Sequence, residues 1–542
     1  MKIKIKKIIC SILFGLIFIS TYSSALSISE KSNAGNEKDT IDLTESNKYN
    51  NLFDTSEDID PLIDLKITIT IKEIRALDDI DILGYPDFYV KVFVNNEEFD
   101  SGVWHNQKYI EYPWPIGPID VSDYEENVSI KIQLWDWNHG KDKLCDINSI
   151  YDQNYVDKHD LELVYSLKTG HWYGDDFNYP SNMYYDLSGY GRANGCDDRS
   201  ISNDGDRDCE LLFDITQNDF DNDTIPYWTE VNVYGTDPKI NDIGRDDDCD
   251  GVPIEWEHRW GHYFKMDWHH ETYTHTWIYN PFIWEDHINL DPDEDGLQNV
   301  EEYLTSQWGS DPFRKDIFME LDQMEKGPNG EGGFLPNSSK ELIRDAFSKR
   351  NIVLRIDDGC MGGGELIPFN ISTPNEDLQK LYWQYFLHNN SDNWRRGTFH
   401  YTLLVYNSSY PGFVFSTRND SSVLMDALQL GTKSHEWDPI YRAPIINSIR
   451  RRSFNFEYQK AVSYASVLMH ETGHILGING GNTPGCDKRD LKNHIKYFNY
   501  KSCMNYFYVY YKIDYSDGSH GKYDFDDWDR IDLTLFQIER TT

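Results

Sequence analysis

The sequence has few basic residues. Its 51 lysines and arginines stand against 92 aspartates and glutamates, which gives a formal net charge of -41 at pH 7 and a pI near 4.6. Sequence-independent binding of nucleic acid requires clustered lysines and arginines opposite the phosphates. Nucleic acid is therefore excluded as a partner of this kind. The excess of carboxylates favours divalent cations as ligands, and a solvated acidic surface of a salt-tolerant organism is the alternative cause.

Long apolar runs are also scarce. Four lysines within the first seven residues precede one run, residues 8–19, which is too short to cross a bilayer. This pattern is typical of a secretory signal, here residues 1–25 with cleavage near Ala25. Since no later stretch has the length and hydrophobicity of a transmembrane helix, we expect a secreted or extracellular protein, with retention at the cell surface as the alternative.

Cysteines are few as well. The sequence has 8, and Cys10 would leave with the signal, so at least one of the remaining thiols stays unpaired. Export permits disulfides. The pairs we expect are Cys196 with Cys209 and Cys486 with Cys503, although connectivity does not follow from sequence.

The length of 542 residues predicts a multidomain chain, because a single hydrophobic core rarely grows so large. Residues 26–62 are polar and acidic, which indicates a disordered linker. Alternating runs such as KITITIKEI and FYVKVFV then predict an N-terminal all-β sandwich over residues 63–215, with CELLFDI as its last strand. A helix-poor, calcium-binding linker region follows at residues 216–312, and the C-terminal domain at residues 313–542 is α/β (α+β).

In this C-terminal part the pattern predicts a strand at 317–321, a helix at 338–349, and strands at 352–356 and 399–406. A helix then carries the stretch VLMHETGHILG. Its residues His470 and His474 are four apart, so both imidazoles lie on one helical face and can bind one metal ion. Glu471 projects beside them and can act as the general base on a water. The alternative is a buried helix whose two histidines only form hydrogen bonds to neighbouring groups.

The residues around this motif resemble the metzincin clan of zinc metallopeptidases, whose members share HExxHxxG and a methionine-containing turn. Gly477 follows the second histidine by three residues, and SCMNY lies downstream. By this resemblance Met504 forms the hydrophobic base under the zinc, and Tyr506 steadies the oxyanion. It covers roughly residues 315–542 and implies a metzincin-like catalytic domain.

The sequence departs from that family at the third zinc ligand. The expected histidine or aspartate is replaced by Gly480, yet zinc needs a third protein ligand. Asp487 is the first candidate, since a short insertion could bring it back to the metal as the aspartate of snapalysin-like enzymes suggests. His494 and His520 are the alternatives.

Three stretches of the Asp-rich tract repeat one spacing of carboxylates, with aspartates at positions one, three and five and a glutamate at position twelve. The residues are Asp219, Asp221, Asp223 and Glu230; Asp246, Asp248, Asp250 and Glu257; and Asp291, Asp293, Asp295 and Glu302. Carboxylates so spaced converge on one calcium ion, and the last glutamate closes the shell. Position six is glycine in the second and third stretch but Thr224 in the first, which predicts a weaker first site.

With the flanking GTDP and SDP, these loops resemble thrombospondin type-three repeats. The resemblance implies structural calcium that stiffens the linker and protects it from proteolysis. A solvated acidic linker is the alternative.

Aspartates in the predicted sandwich resemble the calcium loops of C2 domains, which are calcium and phospholipid modules. The residues are Asp81, Asp87, Asp136 and Asn138, with Asp142 or Asp146 as a final ligand. The resemblance implies calcium at the first three and contact with a membrane or cell surface. Asn138 lowers the charge, so a sandwich that binds calcium poorly or not at all is the alternative.

Taken together, these features predict a secreted, calcium-stabilised zinc endopeptidase that acts on protein or peptide substrates. The alternative is a calcium-dependent surface adhesion or scaffold protein with an inactive peptidase-like domain. Metal content discriminates between them, because the enzyme holds zinc tightly and the scaffold holds calcium alone.

Overall fold

The computed structural model of the chain describes residues 58–81, 84–148, 158–176, 185–187, 191–198, 207–267, 272–374, 376–415, 426–433 and 456–536. The predicted signal and all but the last residues of the predicted linker lie outside these ranges. The described residues belong to one unit, residues 55–542. Among them no helix combines the length and hydrophobicity needed to cross a membrane.

Twelve strands occupy the first part of the described chain. They are β1 Lys66–Ala76, β2 Phe88–Val94, β3 Glu97–Asp100, β4 Tyr109–Ile110, β5 Trp114–Asp120, β6 Asn127–Asp136, β7 Lys143–Leu144, β8 Leu161–Ser166, β9 His171–Gly174, β10 Tyr185–Leu187, β11 Arg192–Asn194 and β12 Cys209–Gln217. One antiparallel sheet has the order β11-β12-β1-β4, with β5 also paired to β1. A second has the order β3-β2-β6-β8-β9, with β7 on β6.

The two sheets share one apolar core, so the expected β-sandwich is present. Every second side chain of β2 is buried, as the alternation in its sequence predicts. Ile69 of one sheet and Val92 and Ile132 of the other belong to the same cluster. Burial of each such side chain contributes about 1.5–3 kcal/mol, which is what holds the sheets face to face.

The Asp-rich region contains more regular structure than its sequence indicates. The helices α1 Tyr227–Thr229, α2 Ile254–Trp260 and α3 Asn299–Thr305 each follow one acidic loop, and α1 continues as a π-helical turn, Glu230–Tyr234. Strands β13 His262–Asp267 and β14 Thr272–Trp277 pair with each other and with β10. The glutamate at position twelve of each loop lies in the helical turn that follows, which directs it back toward the loop.

The C-terminal part is an α/β layer structure. Its strands are β15 Asp316–Met324, β16 Val353–Asp357, β17 Leu366–Ile367, β18 Phe399–Val405, β19 Gly412–Phe415 and β20 Ala427–Gly431. Its helices are α4 Asn337–Ser348, α5 Asp377–Leu381, α6 Phe456–Ile475 and α7 Leu491–Lys496. The sheet order is β16-β15-β18-β20-β19, with β17 on β15, and only β19 runs antiparallel.

Helices cover both faces of this sheet. Ile343 of α4 and Leu468 of α6 share a core with Met319 of β15, whereas Leu378 of α5 shares a second core with Phe318 of the same strand. Strand β15 is therefore buried almost throughout, as expected of a parallel central strand. Strand β19 lies at one edge of the sheet, next to α6.

The expected disulfides are not formed, which corrects that prediction. All seven cysteines of the described ranges are thiols. The Cys196 Sγ atom donates a hydrogen bond to Asp208 at 3.1 Å, and the Cys209 thiol contacts that of Cys145 instead. The thiol of Cys486 is hydrogen-bonded to the adjacent carboxylate rather than joined to Cys503. The local turns thus direct each sulfur to a partner that sequence spacing does not reveal.

Candidate metal centres

Helix α6 carries the HETGH motif in a buried setting. Tyr464, Leu468 and Met469 anchor the helix in the core, and His470 and Glu471 are only 2% and 7% exposed. The helix ends after the motif, where Gly477 has a φ of 97° that favours glycine. This end lets the chain turn back toward the two histidines.

Three potential ligand atoms converge beside this helix. The Nε2 atoms of His470 and His474 are 3.2 Å apart. Asp487 places one carboxylate oxygen 3.3 Å from His470 Nε2 and the other 3.5 Å from His474 Nε2. Ligands about 2.0–2.1 Å from a tetrahedral zinc ion lie roughly 3.3 Å from one another, so the three side chains fit this metal.

Backbone carbonyls orient both imidazoles. The Nδ1 atom of His470 lies 2.9 Å from the carbonyl oxygen of Cys503, and that of His474 lies 2.8 Å from the carbonyl oxygen of Ile478. With a proton on Nδ1, each ring keeps its Nε2 lone pair for a metal. The SCMNY turn therefore helps to aim the first histidine.

Asp487 reaches the histidines through a backbone contact that sequence spacing does not show. Its N–H donates to the carbonyl oxygen of Met504 at 3.2 Å, and its φ is 58°. Although burial opposes the shift, hydrogen bonds to His470 and His474 hold the pKa of Asp487 well below its usual range. The carboxylate is thus ionised, as a metal ligand must be.

The other two candidates for a third ligand have different surroundings. His494 directs Nε2 to the carbonyl oxygen of Lys488 at 2.9 Å. His520 lies with Asp517 and Asp524 in a separate cluster. Of the three candidates, Asp487 is the one grouped with His470 and His474.

Glu471 lies beside these three potential ligands. Burial raises the pKa of its carboxyl, and the two imidazoles oppose that shift. A Cβ atom at Gly412 of β19 would come 2.3 Å from Glu471 Oε1, so this glycine makes room for the carboxylate. A raised pKa suits a group that accepts a proton near neutral pH.

Met504 packs under the site. It is fully buried, and a Cβ atom at Gly473 would lie 2.5 Å from its sulfur. The glycine within HETGH thus permits the helix to approach the methionine turn closely.

Tyr506 lies above His470, with ring centroids 5.4 Å apart and planes 22° from parallel. Burial raises the pKa of its phenol to about 12, so it stays protonated. Arg489, which belongs to neither sequence motif, donates to the Tyr506 hydroxyl at 3.4 Å and covers its ring. Its place two residues after Asp487 is the one signal that could have indicated it.

The site opens into a cleft of about 1030 Å³. Gly412, Phe413 and Val414 of the edge strand β19 line it, as do Tyr506 and Tyr510. The cleft is large enough for several residues of an extended chain.

The three acidic loops share one backbone conformation. Position six has a left-handed φ in each, 75° at Thr224, 103° at Gly251 and 96° at Gly296. Its N–H donates to the carboxylate at position one at 3.1, 3.2 and 3.1 Å respectively. The repeated geometry matches the repeated sequence and turns the carboxylates toward one point.

Buried negative charge accumulates in these loops. Burial and the neighbouring aspartates raise the pKa of Glu230 to about 8 and that of Glu257 to about 10, and they raise the pKa of Glu302 well above its usual range. Buried carboxylate oxygens lack hydrogen-bond partners within the described ranges, on Asp221, Asp248, Glu257, Asp293 and Glu302. A hard cation of the calcium class would satisfy these oxygens, so the side chains fit calcium.

Each loop is also tied to a later acidic residue. The aspartate at position five accepts a hydrogen bond from the N–H of Asp242, Glu285 or Asp316 in turn. Glu285 and the buried His287 group with Asp250 and Glu257 as potential ligands of the second loop. Neither was recognised in the sequence, because both lie beyond the twelve-residue spacing.

A lysine occupies the centre of the C2-like loops. Lys143 Nζ lies 3.2 Å from Asp81 Oδ1 and 3.3 Å from Asp136 Oδ2. Asp87 accepts a hydrogen bond from the backbone of Asn106 at 2.7 Å. Calcium at these aspartates stays a prediction, and an ion there would have to displace the ammonium group.

Asn138 and the final-ligand candidates of these loops are bonded to the protein itself. Asn138 Nδ2 donates to Asp136 at 2.8 Å, and Asp142 accepts from the Tyr89 hydroxyl at 3.0 Å. Asp146 accepts from the backbone of Asn148 at 2.8 Å. Uncharged donors of the protein therefore already occupy carboxylate oxygens that calcium would need.

Comparison with known proteins gives distant similarities to solved structures. No family model and no curated protein matches the chain. It is similar to a C2 domain at 12% identity, over 28% of this chain and 97% of that one, with a TM-score of 0.15. It is similar to a C2 domain of plant extended synaptotagmin 1 at 14% identity, over 28% of this chain and 95% of that one, with a TM-score of 0.15. It is similar to human GIVD cytosolic phospholipase A2 at 12% identity, over 28% of this chain and 16% of that one, with a TM-score of 0.16. At such TM-scores these similarities carry no argument about activity.

Proposed function

We propose that the chain is a secreted zinc-dependent endopeptidase of the metzincin type, stabilised by calcium. The observation that carries this proposal is the set of separations, 3.2, 3.3 and 3.5 Å, among the ligand atoms of His470, His474 and Asp487. The HETGH and SCMNY motifs, with Met504 against Gly473, support the family assignment.

The side chains around the cleft can each take a part in hydrolysis. Zinc, when bound, would polarise the scissile carbonyl and lower the pKa of the attacking water. Glu471 accepts the proton of that water and delivers it to the leaving amine, for which its raised pKa is suited. The protonated hydroxyl of Tyr506, held by Arg489, is a donor for the developing oxyanion.

The edge strand β19 favours a peptide substrate. It pairs with β20 on one side and lines the cleft along Gly412 to Val414. An extended peptide can add to such an edge by main-chain hydrogen bonds, whatever its sequence. This arrangement supports endopeptidase activity within a chain, because the cleft is not a closed pocket.

Calcium has a structural role in this proposal. In sequence the three loops lie between the sandwich and the α/β layers. Their buried carboxylates need cations to offset their mutual repulsion. Contact of the sandwich with a membrane or cell surface belongs to the same proposal. Because Lys143 bridges Asp81 and Asp136, that contact would not depend on calcium at these loops.

A calcium-dependent adhesion or scaffold protein is the second candidate. The three acidic loops are compatible with it, since they serve either function. Its sequence argument was the missing ligand at Gly480, and the position of Asp487 weakens that argument. Calcium without tightly bound zinc would favour the scaffold.

The test replaces Glu471 by Gln in the full chain. We expect hydrolysis of a denatured protein substrate to fall by about 10²–10⁴-fold, because the general base is lost while the metal ligands remain. Zinc content should not change. The matched control is Glu457→Gln, the same replacement at the exposed start of α6, which should retain full activity. Undiminished hydrolysis by Glu471→Gln would remove the proposed mechanism.

A further inference from the structure

Three histidines from two parts of the chain meet in the interior, far from the HETGH motif in sequence. His171 begins β9 of the sandwich, His258 lies in α2, and His262 begins β13. Their exposed fractions are 2%, 3% and 0%. The ring centroid of His171 lies 3.7 Å from that of His262 and 4.6 Å from that of His258.

Hydrogen bonds indicate which ring nitrogen of His171 and of His258 would bind a metal ion. His171 Nε2 lies 2.6 Å from the carbonyl oxygen of His258, so it carries the proton and leaves Nδ1 as the lone-pair atom. His258 Nδ1 lies 3.1 Å from the hydroxyl of Tyr234, so Nε2 is the nitrogen of this ring that would bind a metal ion. One ligand atom from each of the three histidines lies within 4.8 Å of the others.

We propose that His171, His258 and His262 form a second site for a zinc-class divalent cation. Imidazole nitrogens suit zinc and its neighbours in the first transition row, whereas calcium selects oxygen. Three imidazoles are also the protein ligand set of one known class of tetrahedral zinc site. These three histidines have no part in the proposed peptidase mechanism. The second metal site can therefore exist whether or not the chain is a peptidase.

Such an ion would be a cross-link between two parts of the fold. His171 belongs to the sandwich, whereas His258 and His262 belong to the calcium-loop region. His258 also follows Glu257, the twelfth-position glutamate of the second loop, on the same short helix. The metal would therefore fix α2, and with it the second calcium loop, against the edge strand β9.

The test uses the full chain with the HETGH site removed by His470→Ala and His474→Ala. In saturating calcium, which fills the acidic loops, we expect this background variant to retain one zinc per chain after dialysis. Adding His258→Gln and His262→Gln should abolish that zinc. The matched control adds His105→Gln, at an exposed histidine of the sandwich, and should keep it.

Two measurements keep the result interpretable. Zinc X-ray absorption of the background variant should show imidazole nitrogens at about 2.0 Å, without any change to the three histidines. Circular dichroism shows whether the variants remain folded. A background variant that holds no zinc, or whose zinc lacks imidazole ligands, would overturn the proposal. Failure of the peptidase proposal would be seen separately, as an active Glu471→Gln chain.

Discussion

At the residue scale, a left-handed backbone is required twice in each acidic loop. At the fourth position φ is 61° at Asn222, 65° at Cys249 and 59° at Glu294. At the sixth position two loops have glycine, but the first has Thr224 with a φ of 75°. A β-branched residue in this conformation is strained by about 1–3 kcal/mol.

We therefore predict that Thr224→Gly stabilises the folded protein. Relief of strain, less the entropy cost of glycine in the unfolded chain, leaves a gain of about 1 kcal/mol in the free energy of unfolding. Chemical denaturation in excess calcium measures this gain. Asn222→Gly is the control and should gain less, because asparagine tolerates the left-handed region. A Thr224→Gly chain that is less stable than the original would contradict this account.

Single residues also mark where sequence reasoning stops. The spacing within HETGH places His470 and His474 on one helical face, because that relation is local. The position of Asp487 depends on a hydrogen bond to Met504, 17 residues away, and on a left-handed φ. The sequence could rank Asp487 first among the candidate ligands but could not place it. Lys143, which meets Asp81 and Asp136 from other parts of the sandwich, could not be found for the same reason.

At the scale of elements, a strong hydrophobic periodicity in the sequence is sufficient to predict helices and strands to within about one residue. The predicted helix at 338–349 is Asn337–Ser348, and the predicted strand at 352–356 is Val353–Asp357. Strand β19 was not predicted, since Gly412–Phe415 has four residues and forms only by pairing with β20. The helices at the acidic loops are also short, with three to seven residues. Contacts within the loops therefore organise these helices more than helix propensity does.

The acidic loops should make the stability of the calcium-free protein fall as pH rises. In the folded chain without metal the pKa is about 6 for Asp221 and Asp250 and about 8 for Glu230, all above their ordinary values. Carboxyls with raised folded pKa values favour folding when protonated, at about pH 4, and lose that contribution as pH rises through 6–8. Thermal unfolding in excess chelator should therefore show a melting temperature that decreases over this range.

Calcium should reverse this pH dependence. An ion bound to the folded loops replaces the missing protons, and at a thousandfold excess over Kd each site adds about 4 kcal/mol. The same unfolding series in calcium should show little decrease between pH 6 and 8. A chelated protein whose melting temperature rises over this range would show that the loop carboxylates are not held together as the structure places them.

At the scale of the whole molecule, buried ion pairs join the sandwich to the α/β layers. Asp345 of α4 lies 3.1 Å from Arg75 of β1 and 2.7 Å from Lys108, and it accepts from the Tyr109 hydroxyl at 2.8 Å. Elsewhere on this interface Arg314 pairs with Glu210 of β12 at 2.8 Å. The two parts are therefore held together by charge.

We predict that Asp345→Ala costs about 3–5 kcal/mol in the free energy of unfolding, since it leaves the nearly buried Arg75 with less compensating charge. Chemical denaturation, followed by tryptophan fluorescence and by circular dichroism, measures the loss and shows whether the transitions of the two parts separate. The control is Glu111→Ala, which removes a more exposed partner, 3.9 Å from Arg344. That change should cost no more than about 1 kcal/mol. Equal losses in the two variants would mean that the network around Asp345 does not couple the sandwich to the α/β layers.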